Sequence, residues 1–285
     1  MSKILMYIYI TYIEPMVLYG RQLVFRKNLL YMEDKMALKT LDNALEILKF
    51  FTSETPTWGV RELAKKLNIS HSIVYRVLSS FEASSFLFQN EETKKYELGI
   101  KFLEYGILYK NRLKISDVVS PIMVKLAEEI GESIFLTWLD GTEGVCLEIA
   151  ESPHRVKFAV TIGSRTPLYA GASTKVIMAY LPRAVQEIIL LKGLQGYTEH
   201  TIVNPDKLLK NLEKTKDEGW CYSVGEYSDE IIGIAIPLFT SKRKIIGSLT
   251  VAAPEYRLPE SKVKEVLEVF RQRACEVQAY LDTVI

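Results

Sequence analysis

This 285-residue sequence lacks an excess of charge of either sign: 36 Lys and Arg stand against 35 Asp and Glu. A net charge of +1 excludes polyanion binding by bulk attraction. Any nucleic-acid contact must therefore come from how charge is arranged. Histidine and cysteine are also scarce, at three each. His71, His154 and His200 lie in separate segments, so no zinc-ligand spacing arises, and no metal is expected. Cys146, Cys221 and Cys275 are odd in number and far apart. They exclude a disulfide framework and point to reduced thiols in a cytoplasmic protein. The sequence has no G-x-S-x-G, no P-loop and no G-x-G-x-x-G after a strand, and no cofactor or catalytic residue is expected. The apolar run Ile4–Ile13 stops at Glu14-Pro15. It is too short for a bilayer, which needs about twenty residues, and it has no small-residue cleavage site. No membrane partner is expected. Residues 1–36 read as an extension from a start placed upstream of Met32 or Met36.

What is present centres on VRELAKKLNISHSIVYRVLSSF, residues 60–81. Val60, Leu63, Ala64 and Leu67 share one helical face, and Val74, Val77, Leu78 and Phe81 share another. Asn68-Ile69-Ser70 fits between the two helices, with Ser70 as the N-cap of the second. This is the helix-turn-helix pattern, in which the second helix enters the DNA major groove. Its outward face carries His71, Ser72, Tyr75, Arg76 and Ser79, and no acid occurs from Ala64 to Phe81. Arg76 suits a phosphate or a bidentate contact to guanine. His71 reads equally as an ordinary first-turn residue, and Ser79 as a backbone contact.

Upstream, Leu41, Ala44, Leu45, Leu48 and Phe51 make a helical stripe, with Thr40 as its expected cap. Downstream, FLF and YEL flank the turn NEETKK and predict a β-hairpin wing. Lys94 and Lys95 in that turn suit phosphate contact, or simply keep the hairpin tip soluble. The winged helix-turn-helix is expected over 37–98 and a linker helix over 99–115. From 116 to 285 follows an α+β domain with a mostly antiparallel sheet. Its expected strands are SIFLTWL, GVCLEIA, VKFAVTI, IIGIAIPLF and IIGSLTVAA, with helices near 116–130, 173–181, 183–191, 206–218 and 259–281. Gly171-Ala172-Ser173-Thr174 precedes one of these helices. Small residues and free N–H groups there suit a carboxylate, or an ordinary helix cap. Lys175, inside the helix, reads as a structural contact rather than a counter-ion.

From about Leu38 onward the chain resembles the IclR family of bacterial transcriptional regulators. LDNALEILKFF resembles the family's first helix, ISHSIVYRVLSSF its recognition helix and YELGIKFLEYG its passage from wing to linker. IGSRTPLYAGASTKVIMAYLP resembles Gly-x-x-x-Pro-Leu-His-Ala-x-Ala-x-Gly-Lys-Ala. GWCYSVGEYSDEIIGIAIPLF with IIGSLTVAAPEYRL resembles the last signature. Tyr169 stands where His is usual, and Thr174 where Gly is usual.

The resemblance implies a winged-helix domain and a GAF-like effector domain in a homodimer or homotetramer. It also implies operator DNA as partner, with an affinity that responds to a small metabolite, commonly an organic or sugar acid. The implied effector site comprises Gly171, Ala172, Ser173 and Thr174, with Val224 on a loop, Gly233 and Ala235 on one wall, and Ser248 and Thr250 on another. Glu226, on the same loop as Val224, is expected to order it by accepting backbone N–H groups. Ser248, Thr250 and Ala252 alternate in phase and share a sheet face. The alternatives are an enzyme acting on a small metabolite through the C-terminal domain, against which no nucleophile–base pair is evident, and an adaptor whose winged helix binds protein.

Overall fold

The computed structural model describes residues 38–52, 54–112, 114–155, 158 and 160–285. The extension expected over 1–36 lies outside them. The chain forms two compact units that divide between Arg112 and Leu113. Among the described residues, no helix is long and apolar enough to cross a membrane.

In the first unit, α1 (Lys39–Leu48), α2 (Val60–Leu67) and α3 (His71–Ala83) pack around Ile47, Leu63, Val74 and Leu78, all fully buried. Asn68 ends α2 in the left-handed conformation, and Ser70 Oγ accepts the Ile73 N–H at 3.4 Å to start α3. Two features of α1 differ from expectation. Thr40 lies inside the helix, which begins after Leu38 without a side-chain cap. Leu41 and Leu45 are about half exposed, because Ile47, with Ala44 and Leu48, faces the core. The wing pairs β1 (Leu87–Gln89) with β2 (Tyr96–Leu98) antiparallel, and Trp58 bridges to Tyr96. Then α4 (Ile100–Arg112) follows. It buries no residue fully but packs Phe102 and Tyr105 on Phe86, with ring centroids 5.3 and 5.7 Å apart.

The second unit is built on a six-stranded antiparallel sheet in the order β5-β4-β3-β8-β7-β6. The strands are β3 (Ser133–Asp140), β4 (Glu143–Ala150), β5 (Arg165–Pro167), β6 (Cys221–Val224), β7 (Ile231–Phe239) and β8 (Ile245–Pro254). Strand alternation divides the side chains between two helical layers. Leu249, Val251 and Ala253 pack toward α5 (Ser120–Ile130) and α9 (Val263–Val284). On the opposite face lie α6 (Ala172–Ala179), α7 (Arg183–Leu191) and α8 (Pro205–Glu218), around Val176, Ile177, Leu208 and Ala235. A π-helical turn, Ile115–Val119, precedes α5, and a short 3-10 turn precedes α9, so both helices start later than expected.

The strand expected over VKFAVTI is a correction. Phe158 and Val160 belong to no strand, and residues 156, 157 and 159 lie outside the described set. The backbone of β4 at Cys146 is taken instead by Gly163, whose N–H donates to Cys146 O, and by Ser164, whose carbonyl accepts the Cys146 N–H. Phe158 and Val160 are half-buried against Phe135, Cys146 and Ala252. Their alternation reflects packing, not sheet pairing.

Candidate functional site

The outward face of α3 exposes His71, Ser72, Tyr75 and Arg76 side by side, while Val74, Val77 and Leu78 hold the helix to the core. Ser79 is half-buried and hydrogen-bonds the Tyr96 phenol, so it ties α3 to the wing. Ser70 serves as the cap of α3. Ser80, which sequence reasoning passed over, is exposed, and its hydroxyl donates to the Arg76 carbonyl. At the wing tip Asn90 Oδ1 accepts the Glu92 and Thr93 N–H groups. Lys94 is exposed there in the left-handed conformation. Lys95 is not free: its Nζ lies 2.8 Å from Glu62 Oε1.

The second unit contains a cavity of about 520 Å³ between the sheet and the start of α6. Gly171, Ala172, Ser173, Gly233 and Thr250 line it. The other four expected effector residues do not. Thr174 is fully buried, with Oγ1 donating to Ala170 O at 2.7 Å. Ser248 Oγ donates to Ser173 O at 2.6 Å, so it fastens α6 to the sheet. Ala235 is buried within the α6–α8 layer, and Val224 packs with the cluster on the other sheet face.

The first turn of α6 is held close to the sheet. A Cβ on Gly233 would stand 3.0 Å from Ala172 Cβ and 3.3 Å from Ser223 Oγ, so a larger residue there would crowd the start of α6. Among the described residues the amides of Ala172, Ser173 and Thr174 have no acceptor. They sit at the positive end of the helix dipole. The Gly171 N–H donates to Glu226 Oε2 at 3.3 Å. Glu226 Oε1 accepts from Lys175 Nζ at 2.6 Å, and Nζ also reaches Asn211 Oδ1 at 2.9 Å. Thr201 Oγ1 donates to the Glu226 carbonyl, and Thr198 Oγ1 to that of Gly225, fixing this loop from the α7–α8 connection. Lys175 thus makes a structural contact, and Glu226 ties its loop to α6 through one backbone N–H, that of Gly171, and through Lys175.

Several lining residues were not read from sequence: Phe135, Thr137, Cys146, Phe158, Tyr197 and Tyr227. Thr137 was within reach, because β3 alternates and Phe135 and Thr137 lie opposite Thr250 and Ser248. Tyr197 sits in a loop with no periodicity, its ring 5.0 Å from that of Tyr227. Burial, with Tyr169 alongside, pushes the Tyr197 phenol up to about 12, so it keeps its proton at neutral pH. Burial, with Glu148 nearby, likewise pushes the Cys146 thiol up to about 11 and leaves no thiolate nucleophile. Cys221 is buried and does not line the cavity. Thr250 Oγ1 is buried with no hydrogen-bond partner. Among the described residues no Lys, Arg or His lines the cavity. Among the described residues no cluster of His, Cys, Asp or Glu could hold a metal ion.

Known proteins share both units. The model of the IclR helix-turn-helix domain matches residues 40–91, and that of the bacterial transcriptional regulator IclR C-terminal domain matches 107–279. The HTH-type transcriptional regulator KipR of Bacillus subtilis is 30% identical over 240 residues, covering 84% of this chain and 95% of its own. A solved IclR-type regulator from Silicibacter sp. TM1040 superposes with a TM-score of 0.79 at 23% identity, over 85% of this chain and 96% of its own. An IclR homologue from Microbacterium hydrocarbonoxydans, solved with 4-hydroxybenzoate, gives 0.74 at 21% identity, over 86% and 99%. With both family models matched in order and a relative aligned over nearly its whole length, this chain belongs to the IclR family of bacterial transcriptional regulators.

Proposed function

We propose that this regulator binds operator DNA in the cytoplasm with an affinity set by a small organic acid held in the cavity of the second unit. In this reading α3 enters the major groove, where Arg76 contacts a base or phosphate and Tyr75, Ser72 and His71 support it. Lys94 meets phosphate from the wing. The acid group sits on the open amides of Ala172 and Ser173 and takes a further hydrogen bond from Thr250. The carrying observation is that Ala172 and Ser173, whose amides are open, and Thr250, whose hydroxyl is unpartnered, line one cavity. Helix N-termini of this kind attract anions. A related protein of the same fold holds 4-hydroxybenzoate, itself an acid.

Reading two half-sites requires two copies of α3. The apolar surfaces that α1 exposes at Leu41 and Leu45, and α4 at Ile100, Leu103 and Leu108, suit cover by a second copy in a dimer or tetramer. The test is fluorescence anisotropy on DNA upstream of the protein's own gene, titrated with small acids. One acid should shift operator affinity in the wild type and fail to do so in Ser173→Glu, whose carboxylate would occupy the head of the site. Absence of binding to that DNA, or equal acid response in both proteins, would overturn the reading.

A further inference from the structure

In the first unit, the backbone holds together an acid and a cation for which DNA phosphate would compete. Trp58 and Tyr96 exchange main-chain hydrogen bonds, 2.9 Å from the Trp58 N–H and 2.8 Å from the Tyr96 N–H. Gly59, the N-cap of α2, follows Trp58, and Lys95 precedes Tyr96. Glu62, in the first turn of α2, accepts the Gly59 N–H through Oε2 at 2.9 Å and meets Lys95 Nζ through Oε1 at 2.8 Å. The pair therefore joins α2 to the wing, whereas Lys49–Glu46 and Lys101–Glu104 each link residues three apart. Side-chain exposures of 39% for Lys95 and 46% for Glu62 leave both open to solvent and to a polyanion.

That placement has consequences on DNA. In a helix-turn-helix the first helix crosses the phosphate backbone while the second lies in the groove. Here the first helix is α2, which exposes Arg61, Lys65 and Lys66 and has Glu62 as its one acid. A phosphate that approaches Lys95 must displace Glu62, and the freed carboxylate would then face the same phosphates unpaired. Exposed ion pairs are weak, so phosphate can compete for Lys95. What it gains is offset by the pair lost and the acid laid bare. Lys94, exposed at the neighbouring position, carries no such debit.

The electrostatic term acts on DNA of every sequence, and base contacts from α3 add the discrimination. A cation withheld from phosphate thus weakens binding to all sequences alike and leaves base readout intact.

Resting on the reading of α3 and the wing as the DNA-binding surface, we propose that Glu62 is an electrostatic brake. It withholds Lys95 from the phosphate backbone and so sets how tightly the protein holds DNA of any sequence, leaving Lys94 as the wing cation that meets phosphate.

The test is fluorescence anisotropy of the full-length protein across a range of salt. Two duplexes are used: DNA upstream of the protein's own gene and a scrambled duplex of the same composition. Glu62→Gln keeps an acceptor for the Gly59 N–H and removes the charge. It should tighten both duplexes by a similar factor, about three- to tenfold at low salt. It should also steepen log affinity against log salt by about 0.9 for each copy of the chain bound. Adding Lys95→Met to Glu62→Gln should remove both gains. In the wild-type background Lys94→Asn, a residue that tolerates the left-handed conformation there, should flatten the plot by a similar amount. Lys95→Met should flatten it by much less. These two wing substitutions lie outside the core and read the brake even if Glu62→Gln melts early. A folded Glu62→Gln that binds more weakly, or with unchanged salt dependence, would overturn the brake while DNA binding stands. Equal flattening by Lys95→Met and Lys94→Asn would do the same, since Lys95 would then already reach phosphate. No binding to either duplex at the lowest salt would remove the DNA-binding reading and the brake with it.

Discussion

Lys175 and Glu226 form an ion pair sealed beneath the first turn of α6, with Nζ 2.6 Å from Oε1 and side-chain exposures of 0% and 7%. The pair joins α6 to the loop after β6. Asn211 from α8 and the Gly171 N–H satisfy further donors and acceptors of the same network. A buried pair of this kind adds little net stability compared with an apolar pair, but removing one partner strands the other charge.

Lys175→Met should therefore destabilise the second unit by about 3–5 kcal/mol. Adding Glu226→Gln should recover part of that loss. Urea unfolding of wild type, both single variants and the double variant closes the cycle. A double variant as unstable as the sum of the single ones would show that the pair is not coupled.

In the first unit, Glu62 makes two contacts: Oε2 accepts the Gly59 N–H at 2.9 Å and Oε1 meets Lys95 Nζ. The Lys95 ammonium, and then the Gly59 N–H, hold its carboxyl below the usual carboxylate range. A depressed carboxyl stabilises the fold above its unfolded pKa, and that contribution is lost as pH falls through the folded value. The ion pair is exposed, so the helix-start hydrogen bond carries most of the effect. Glu62→Ala should cost about 0.5–1 kcal/mol at neutral pH, a gap that closes in acid as the wild-type carboxyl takes up its proton. Chemical denaturation of both proteins across pH reads this, and a gap constant down to strongly acidic pH would contradict it.

The helix-turn-helix was legible because its apolar residues repeat at helical spacing over a local stretch. Val74, Val77 and Leu78 needed only periodicity to be placed. The cavity was legible only in part. Gly171 to Ser173 announced a helix start, but Thr137, Cys146 and Thr250 come together through strand order and through the bulge between Leu136 and Thr137, which sets Thr137 opposite Cys146. Neither is a local property. Ser248 shows the same limit. Its phase with Thr250 put the two on one sheet face without saying which, and it lies under α6 and donates to Ser173 O. Alternation assigns a face and says nothing of what covers each position along it. Lys95 fails as a free wing cation for a related reason: its partner Glu62 lies on another element.

Arg76 is exposed on α3 among Ser72, Tyr75 and Ser80, and its side chain is not part of the core. Arg76→Ala should lower operator affinity by about ten- to a hundredfold and leave the melting temperature unchanged. Anisotropy on operator DNA gives the first quantity and circular dichroism the second. Unchanged affinity in a folded variant would move the base contact to another residue.

Gly99 joins the wing to α4 at a point where backbone meets backbone. A Cβ there would stand 2.3 Å from the Ser85 carbonyl oxygen and 2.9 Å from the Phe86 carbonyl carbon. These are main-chain atoms and cannot rotate aside. The same junction carries the Gly99 N–H bond to Phe86 O at 2.8 Å and the stacking of Phe86 on Tyr105. Gly99→Ala should thus push α4 off the wing and cost about 1–3 kcal/mol, as overpacking does. Gly106 provides the control within the same helix. A Cβ at that position meets nothing within 4 Å. Gly106→Ala should stabilise α4 by up to about 1 kcal/mol through helix propensity alone. The two variants carry the same chemical change in one segment, so opposite signs in thermal denaturation isolate the steric contact at Gly99. Equal melting temperatures would show that the wing gives way and that α4 is not anchored through Gly99.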